Sequence, residues 1–232
     1  ADALRQVVRA ASSDMQRLAL TGVLMSAEPD GLRLVATDSY RLAVRDLPGS
    51  NILGHGEKVV IPSRALNELQ RLLASGEEAS LCLAGDRATF TVGQATLSTS
   101  LLQIEFPNYR QLIQPNYPNS LTTAREPLLE AIRRCRILAR ETTPVRLEMT
   151  ATSLKLIVVT QDVGNTVEEL DATMVGSDIT VGFNPEYLAA GIEAVSGDEI
   201  TIQTTDPIKP AVLRGVGAPD YLYLVMPQRL TN

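Results

Sequence analysis

The chain repeats its own order of elements after about 122 residues. The apolar strand Leu32–Thr37 matches Leu154–Val158, and the helix that follows Pro62 matches the helix that begins at Pro185. Solenoid and propeller repeats are only about 20 to 50 residues long. Each copy is therefore predicted to be a whole domain with its own hydrophobic core.

The two copies differ at their starts. We predict domains over residues 1–118 and 119–232, with a linker near 115–119, where prolines and asparagines interrupt every periodic pattern. The second copy has a strand-like segment, Ser120–Thr123, before its first helix, whereas the first copy opens directly on the helix at Leu4. We therefore expect the first domain to lack its leading strand and the chain to be a fragment of a longer protein.

Each copy combines two amphipathic helices with about six to eight short strands. In the first helix Leu4, Val7, Val8 and Ala11 recur at helical spacing and form one apolar stripe. The strands are rich in β-branched residues and are separated by Gly, Asp and Asn turns. This pattern predicts an α+β fold: a tandem of two similar domains, each with two helices packed on antiparallel sheet.

The amino-acid composition limits the class of protein to which this chain can belong. Hydrophobic residues make up 44% of the chain, enough for two ordinary cores. No apolar run reaches the ~18 residues that cross a bilayer, and the acidic start lacks a basic and then apolar signal segment. We therefore expect a cytoplasmic protein.

The helices carry most of the information about a binding surface. The net charge of −6 argues against nucleic acid, but three of the four predicted helices place arginine opposite their apolar stripe. A single exposed arginine is ordinarily solvated surface, whereas recurrence at equivalent places of a repeat predicts a basic surface that phosphates could approach. The phenylalanines and most tyrosines lie outside the helices, so contact with a nucleic-acid backbone is expected rather than base stacking. The residues predicted to form this phosphate-facing surface are Arg5, Arg9, Arg64, Arg71, Arg133, Arg136 and Arg140.

Motifs for catalysis are weak. The glycine-rich segment Gly49–Gly56 has His55 where a phosphate-binding loop needs lysine. Cys82 and Cys135 both fall on apparent core faces and are predicted to be buried free thiols, so neither suits a nucleophile beside His55. Asp38 follows a strand and suits either catalysis or a turn in which it accepts local amides. We predict no catalytic residue, no metal site and no cofactor.

Four segments, in a consistent order and spacing, resemble the bacterial DNA sliding clamp, the β subunit of DNA polymerase III. They are Leu34–Ala43, Ile104–Tyr109, Val181–Leu188 and Leu224–Leu230. The resemblance covers essentially the whole chain and is to the second and third of the three domains in that family.

The resemblance implies a non-enzymatic processivity factor of DNA replication. Two full-length chains of the family form a homodimeric ring around duplex DNA, with an arginine-bearing helical layer inside and a continuous sheet outside. A hydrophobic pocket between these two domains captures short peptides from replicative and repair polymerases, the clamp loader and other proteins. The DNA contacts of such a ring are independent of sequence.

When the pocket residues of the family are transferred to the matching motifs of this chain, the resemblance implies a peptide-binding pocket with residues in both domains. They are Leu20, Thr37, Ser39, Tyr40, Arg41, Leu42, Pro107, Gln111, Leu112, Asn184, Tyr187, Pro210, Leu224, Val225, Met226, Pro227, Gln228, Arg229 and Leu230. The family often has Gly-His in place of Ser39-Tyr40, and methionine or another apolar residue in place of Gln228. These departures bear on ligand preference.

The residues alone are also compatible with two other classes of function. One is a small-molecule enzyme with its site between the domains, where pockets are often found. The other is a purely structural adaptor, which would have no basic helical layer.

Overall fold

The computed structural model describes residues 1–76, 78–139, 143–160 and 164–230. The chain divides into two compact units, Ala1–Tyr109 and Arg110–Asn232. This division comes before the predicted boundary at residue 118, since the linker prolines belong to the second unit. There Asn119 Oδ1 accepts a hydrogen bond from the Ser177 backbone N–H at 2.9 Å.

Unit 1 contains two helices and seven strands in its described residues. They are α1 Asp2–Val8, β1 Gly22–Glu28, β2 Gly31–Thr37, β3 Arg41–Pro48, β4 Lys58–Pro62, α2 Ser63–Leu72, β5 Ala79–Ala84, β6 Arg87–Val92 and β7 Ala95–Ser100. The strands pair antiparallel in the orders β3-β2-β1-β4 and β5-β6-β7. The predicted α+β arrangement is confirmed in this unit.

Unit 2 repeats the same order of elements with a strand at its start. Its elements are β8 Asn119–Ala124, α3 Arg125–Leu138, β9 Val145–Met149, β10 Ser153–Thr160, β11 Gly164–Val175, β12 Ile179–Phe183, α4 Pro185–Ala194, β13 Glu199–Thr204, β14 Ala211–Gly215, β15 Ala218–Val225 and β16 Pro227–Gln228. The strands pair antiparallel in the order β16-β12-β9-β10-β11-β8-β13-β14-β15. The described part has nine strands, one above the expected range, because β16 is a two-residue addition.

The first strand of unit 2 has no counterpart among the described residues of unit 1. In unit 2, β8 pairs with β11 on one edge and with β13 on the other. The corresponding strands of unit 1, β3 and β5, lie in separate sheets. A cavity of about 390 Å³ is lined by residues of both, including Leu47 and Leu81. The expectation that the first domain lacks its leading strand stays a prediction.

The helices pack in pairs, and most residues of their predicted apolar stripes are buried. Ala11 is an exception, because α1 ends at Val8 and Ala11 is only half-buried. On α3, Leu128, Ile132 and Cys135 are completely buried. On α4, Asn184 caps the helix through Oδ1, which accepts the backbone N–H of Glu186 at 2.8 Å. No helix within the described ranges is long and apolar enough to span a bilayer.

The prediction for the two cysteines is half right. Both are free thiols, and Cys135 is buried on α3 as expected. Cys82 is exposed, contrary to the prediction. It alternates along β5 with Leu81 and Leu83, which are half-buried, so its own side chain points to the opposite face.

The helix α4 lies against β15 at a glycine. The Tyr223 hydroxyl donates a hydrogen bond to the Tyr187 carbonyl at 2.9 Å. A Cβ atom at Gly191 would overlap the Tyr223 ring and lie 2.8 Å from Leu213 Cδ1. The close approach of helix and strand therefore depends on the absence of a side chain at residue 191.

Gly191→Ala should lower the free energy of unfolding by about 1–3 kcal/mol, because the added methyl group overpacks the core. Intrinsic helix propensity alone would raise the free energy of unfolding, because alanine is favoured over glycine in helices by about 1 kcal/mol. Urea denaturation measures the change. Gly54→Ala is the control, because a Cβ there approaches only Glu57 Oε2, at 3.3 Å. Unchanged or increased stability of Gly191→Ala would contradict the packing.

The two thiols should differ in reactivity. Burial raises the pKa of Cys135 to about 11, so its reactive thiolate is scarce at pH 8, whereas Cys82 is open to solvent. With Ellman's reagent we expect one fast thiol per native chain and two in denaturant. Cys82→Ser should remove the fast reaction, and a fast reaction that survives this substitution would contradict the burial of Cys135.

Candidate functional site

The turn between β2 and β3 of unit 1 carries four of the predicted pocket residues in a rigid conformation. Asp38 is buried, and its Oδ1 accepts the backbone N–H groups of Tyr40 at 2.9 Å and Arg41 at 3.0 Å. The Arg41 Nε–H donates to Asp38 Oδ2 at 2.9 Å. Thr37 Oγ1–H donates to the Arg41 carbonyl at 2.7 Å, and Ser39 has a left-handed φ of 82°. Asp38 is therefore a turn residue, and the turn leaves Tyr40 54% exposed.

Arg17 supports this turn and was missed by sequence reasoning. Its Nη1–H donates to the Asp38 carbonyl at 3.2 Å, and its Nε–H donates to Asp14 Oδ2 at 3.0 Å. Hydrogen bonds from the Gln16 backbone N–H and from Arg17 lower the pKa of Asp14. Arg17 is 21 positions from Asp38, and no local pattern connects the two residues.

The remaining predicted residues of the first domain differ in exposure. Leu20 and Leu42 are buried, with Leu42 completely inaccessible. Pro107 and Gln111 are exposed, and Leu112 is 39% exposed. Gln111 and Leu112 fall in unit 2, in the 3-10 turn Arg110–Leu112. Because Leu42 is inaccessible, an aspartate there would test folding rather than ligand binding.

The chain segment after β15 is held beside the start of α4 in unit 2. Strand β16 pairs with β12, which brings Pro227 opposite Phe183 and Gln228 opposite Gly182. A Cβ at Gly182 would lie 2.6 Å from Leu230 Cδ2, so the segment lies directly on this glycine. Asn184 follows β12 at once. The fold thereby collects residues from two distant motifs at one end of unit 2.

The predicted pocket residues of unit 2 differ in how far they are exposed to solvent. Leu224 and Val225 are buried, whereas Tyr187, Pro210, Met226, Pro227, Gln228 and Leu230 are half-buried and Arg229 is exposed. The Gln228 Oε1 atom is buried and has no hydrogen-bond partner among the described residues. A buried carboxamide oxygen without a partner is an acceptor that an incoming N–H group can satisfy.

Two predicted DNA-facing residues of α3 lie beside α4 and pair with its acids. The Arg136 Nε–H donates to Glu186 Oε1 at 2.8 Å, and its Nη2 lies 2.6 Å from Glu186 Oε2. Arg133 Nη2–H donates to Glu193 Oε1 at 3.2 Å, and Nη1–H donates to Glu130 at 3.3 Å. The hydrogen bond to Glu193 is the main cause that raises the pKa of Arg133.

This surface is mixed in charge rather than basic. The sequence predicts its arginines correctly as residues outside the apolar stripe, but the glutamates of α4 were not expected to neutralise them. The neighbouring Arg134 is also paired, through two hydrogen bonds of 2.8 and 2.9 Å to Glu168 on β11. Arg140 lies outside the described residues.

Three of the predicted arginines of unit 1 contact a residue three or four positions earlier in the chain. Arg5 Nε lies 3.5 Å from Asp2 Oδ1, and the Arg9 Nε–H donates to the Arg5 carbonyl at 3.1 Å. Arg71 pairs with Glu68, one turn earlier on α2, at 2.8 Å. Arg64 is exposed at the start of the same helix.

In the part of the chain that the structure describes, no group of three His, Cys, Asp or Glu side chains is placed to hold a metal ion. His55 lies in an exposed loop, where the Gly54 N–H donates to Glu57 Oε2 at 2.9 Å.

Comparison with known proteins gives matches over both units. The family model for the central domain of the DNA polymerase III beta subunit matches residues 1–108, and the model for the C-terminal domain matches residues 110–229. The beta sliding clamp of Synechococcus elongatus is 35% identical over 238 residues, and that of Streptomyces coelicolor is 32% identical over 246 residues. Both comparisons cover 100% of this chain but only 64% and 65% of the relatives.

The fold is also that of solved structures. The sliding clamp of Bartonella birtlesii, crystallised with griselimycin, superposes with a TM-score of 0.93 at 28% identity, over 99% of this chain and 63% of that one. The chain belongs to the family of DNA polymerase III beta subunits, of which it carries the central and C-terminal domains.

Proposed function

We propose that this chain is the central and C-terminal part of a sliding clamp, a cytoplasmic, non-enzymatic protein that tethers polymerases to duplex DNA. The observation that carries the proposal is the match of both units, in order, to the two domain models of the family. The relatives that cover the whole chain are beta sliding clamps. The proposed mechanism is topological: a homodimeric ring of the full-length protein encloses DNA, and it needs no metal or cofactor.

The helix arginines are the proposed contacts with DNA. Arg133 and Arg136 lie outside the buried stripe of α3, and both reach solvent. A guanidinium group binds a phosphate through charge and parallel N–H donors but reads no base from the backbone. Contacts of this kind are independent of sequence and weaken steeply with salt. Enclosure by a ring requires no stronger contact than this.

The second proposed activity is the capture of short peptides. The unit 2 group of Asn184, Tyr187 and Met226–Leu230 and the unit 1 turn Thr37–Leu42 are the proposed contact residues. Support comes from the half-buried Met226, a flexible apolar side chain that adapts to ligand side chains. Further support comes from the buried Gln228 Oε1, which lacks a hydrogen-bond partner within the described ranges. We propose that the ligands are apolar peptide segments of polymerases, the clamp loader and repair proteins.

Duplex DNA should bind this chain with a Kd near 10⁻⁴ M or weaker, roughly as non-specific binding does. Arg133→Ala with Arg136→Ala should weaken binding and make the slope of log K against log salt less negative by about two, since two phosphate contacts are lost. Fluorescence anisotropy of a labelled duplex measures both quantities.

The control is Arg87→Ala with Lys155→Ala, which removes the same charge from strands β6 and β10. This variant should bind nearly as the parent does. Equal losses in the two double variants, or a preference for one DNA sequence, would count against the assigned surface.

A short peptide containing leucine and phenylalanine should bind at the micromolar level, roughly −8 kcal/mol, since ordering a linear peptide offsets much of the apolar gain. Met226→Ala should weaken binding about tenfold through lost apolar contact. Isothermal titration calorimetry measures the affinity, and circular dichroism checks the fold.

Met15→Ala is the matched control, since Met15 is 72% exposed and lies outside the proposed contacts. Its affinity for the peptide should equal that of the parent. The assignment is wrong if Met226→Ala binds the peptide as tightly as Met15→Ala does.

A further inference from the structure

The acidic residues of α4 occupy positions where the repeat has arginine. The helices α2 and α4 correspond with a shift of about 122 residues, by which the buried Leu66 matches the buried Leu188. The same shift places Glu186 at the position of Arg64 and Glu193 at that of Arg71. The fold thus accepts either charge at these two positions, so packing does not require the glutamates.

The two glutamates lie on one face of their helix and reach one neighbour. They are seven positions apart, which is two helical turns. Glu186 contacts Arg136 and Glu193 contacts Arg133, so the two ion pairs connect α3 to α4 side by side. Both arginines belong to the surface that we assign to DNA.

The ion pairs and a phosphate group compete for the same donors. Glu186 holds the Nε and Nη2 edge of Arg136 through both carboxylate oxygens, at 2.8 and 2.6 Å. That edge is one of the two through which a guanidinium group binds a phosphate by parallel hydrogen bonds. A phosphate at Arg136 must therefore displace the carboxylate or share the guanidinium with a second anion.

We propose that Glu186 and Glu193 restrain DNA binding: they occupy the guanidinium groups of Arg136 and Arg133 and so keep the contact of unit 2 with duplex DNA weak. This inference rests on the proposed function. Exposed ion pairs of this kind contribute little to folding, about 0.2–1 kcal/mol each, so they can open when a phosphate approaches. The restraint lets DNA move past unit 2 without a strongly held phosphate.

The test is Glu186→Gln with Glu193→Gln, measured by anisotropy with a labelled duplex near 0.1 M salt, where the Debye length is about 10 Å. We expect about three- to tenfold tighter binding, from two exposed pairs at the usual strength. The matched control is Asp178→Asn with Glu199→Gln, which removes two exposed charges of unit 2 outside the helix pair. This control should change the affinity by less than about twofold.

A variant cycle separates this inference from the proposed function. In a chain that also carries Arg133→Ala and Arg136→Ala, the gain from the two glutamines should shrink to that of the control. If the arginine variant alone binds DNA like the parent, the assigned DNA surface is wrong. If it loses binding while the glutamine variant gains no more than the control, or binds more weakly, the restraint is wrong.

Discussion

Each helix buries one apolar stripe against the sheet, and this burial fixes where the other side chains of the helix point. In unit 2, Leu128, Ile132 and Cys135 are completely inaccessible and turn α3 onto the sheet. Once this stripe is buried, the position of every other residue on the helix follows from the helical period. Arg133 and Arg136 must then lie toward solvent and toward α4. The proposed DNA surface is thus a consequence of core packing.

The helix neighbours then decide the electrostatic character of that surface. An arginine beside Glu186 or Glu193 is a partly neutralised group rather than a free cation, and its electrostatic field at a distance is correspondingly reduced. In unit 1 the corresponding helix carries Arg64 and Arg71, so the two repeats share a backbone but not a charge pattern. A net-acidic chain can in this way keep arginines on its helices without a strongly basic surface.

The proposed peptide contacts have a different physical basis, since backbone geometry rather than charge organises them. Asp38 satisfies two backbone N–H groups and the Arg41 side chain, so the turn that presents Tyr40 is rigid before any ligand arrives. The segment after β15 is held by pairing with β12 and by close contact with Gly182. Preformed turns and strand ends lower the entropy that binding must overcome. The Gln228 Oε1 atom, which has no hydrogen-bond partner among the residues that the structure describes, adds one directed acceptor.

Periodicity and capping are local properties of the chain, so they were enough to predict the repeat, the α+β class, most of the apolar stripes and the Asn184 cap. The same local reasoning placed Cys82 in the core, treated the helix arginines as a basic surface and did not find the role of Arg17. These three points depend on how the elements pack against one another. No local pattern shows which side of β5 is exposed. The hydrogen bond from Arg17 to the Asp38 carbonyl and the ion pairs between α3 and α4 join residues that are far apart in the sequence. Charge compensation depends on distances between side chains of different elements, and those distances exist only after the helices have packed.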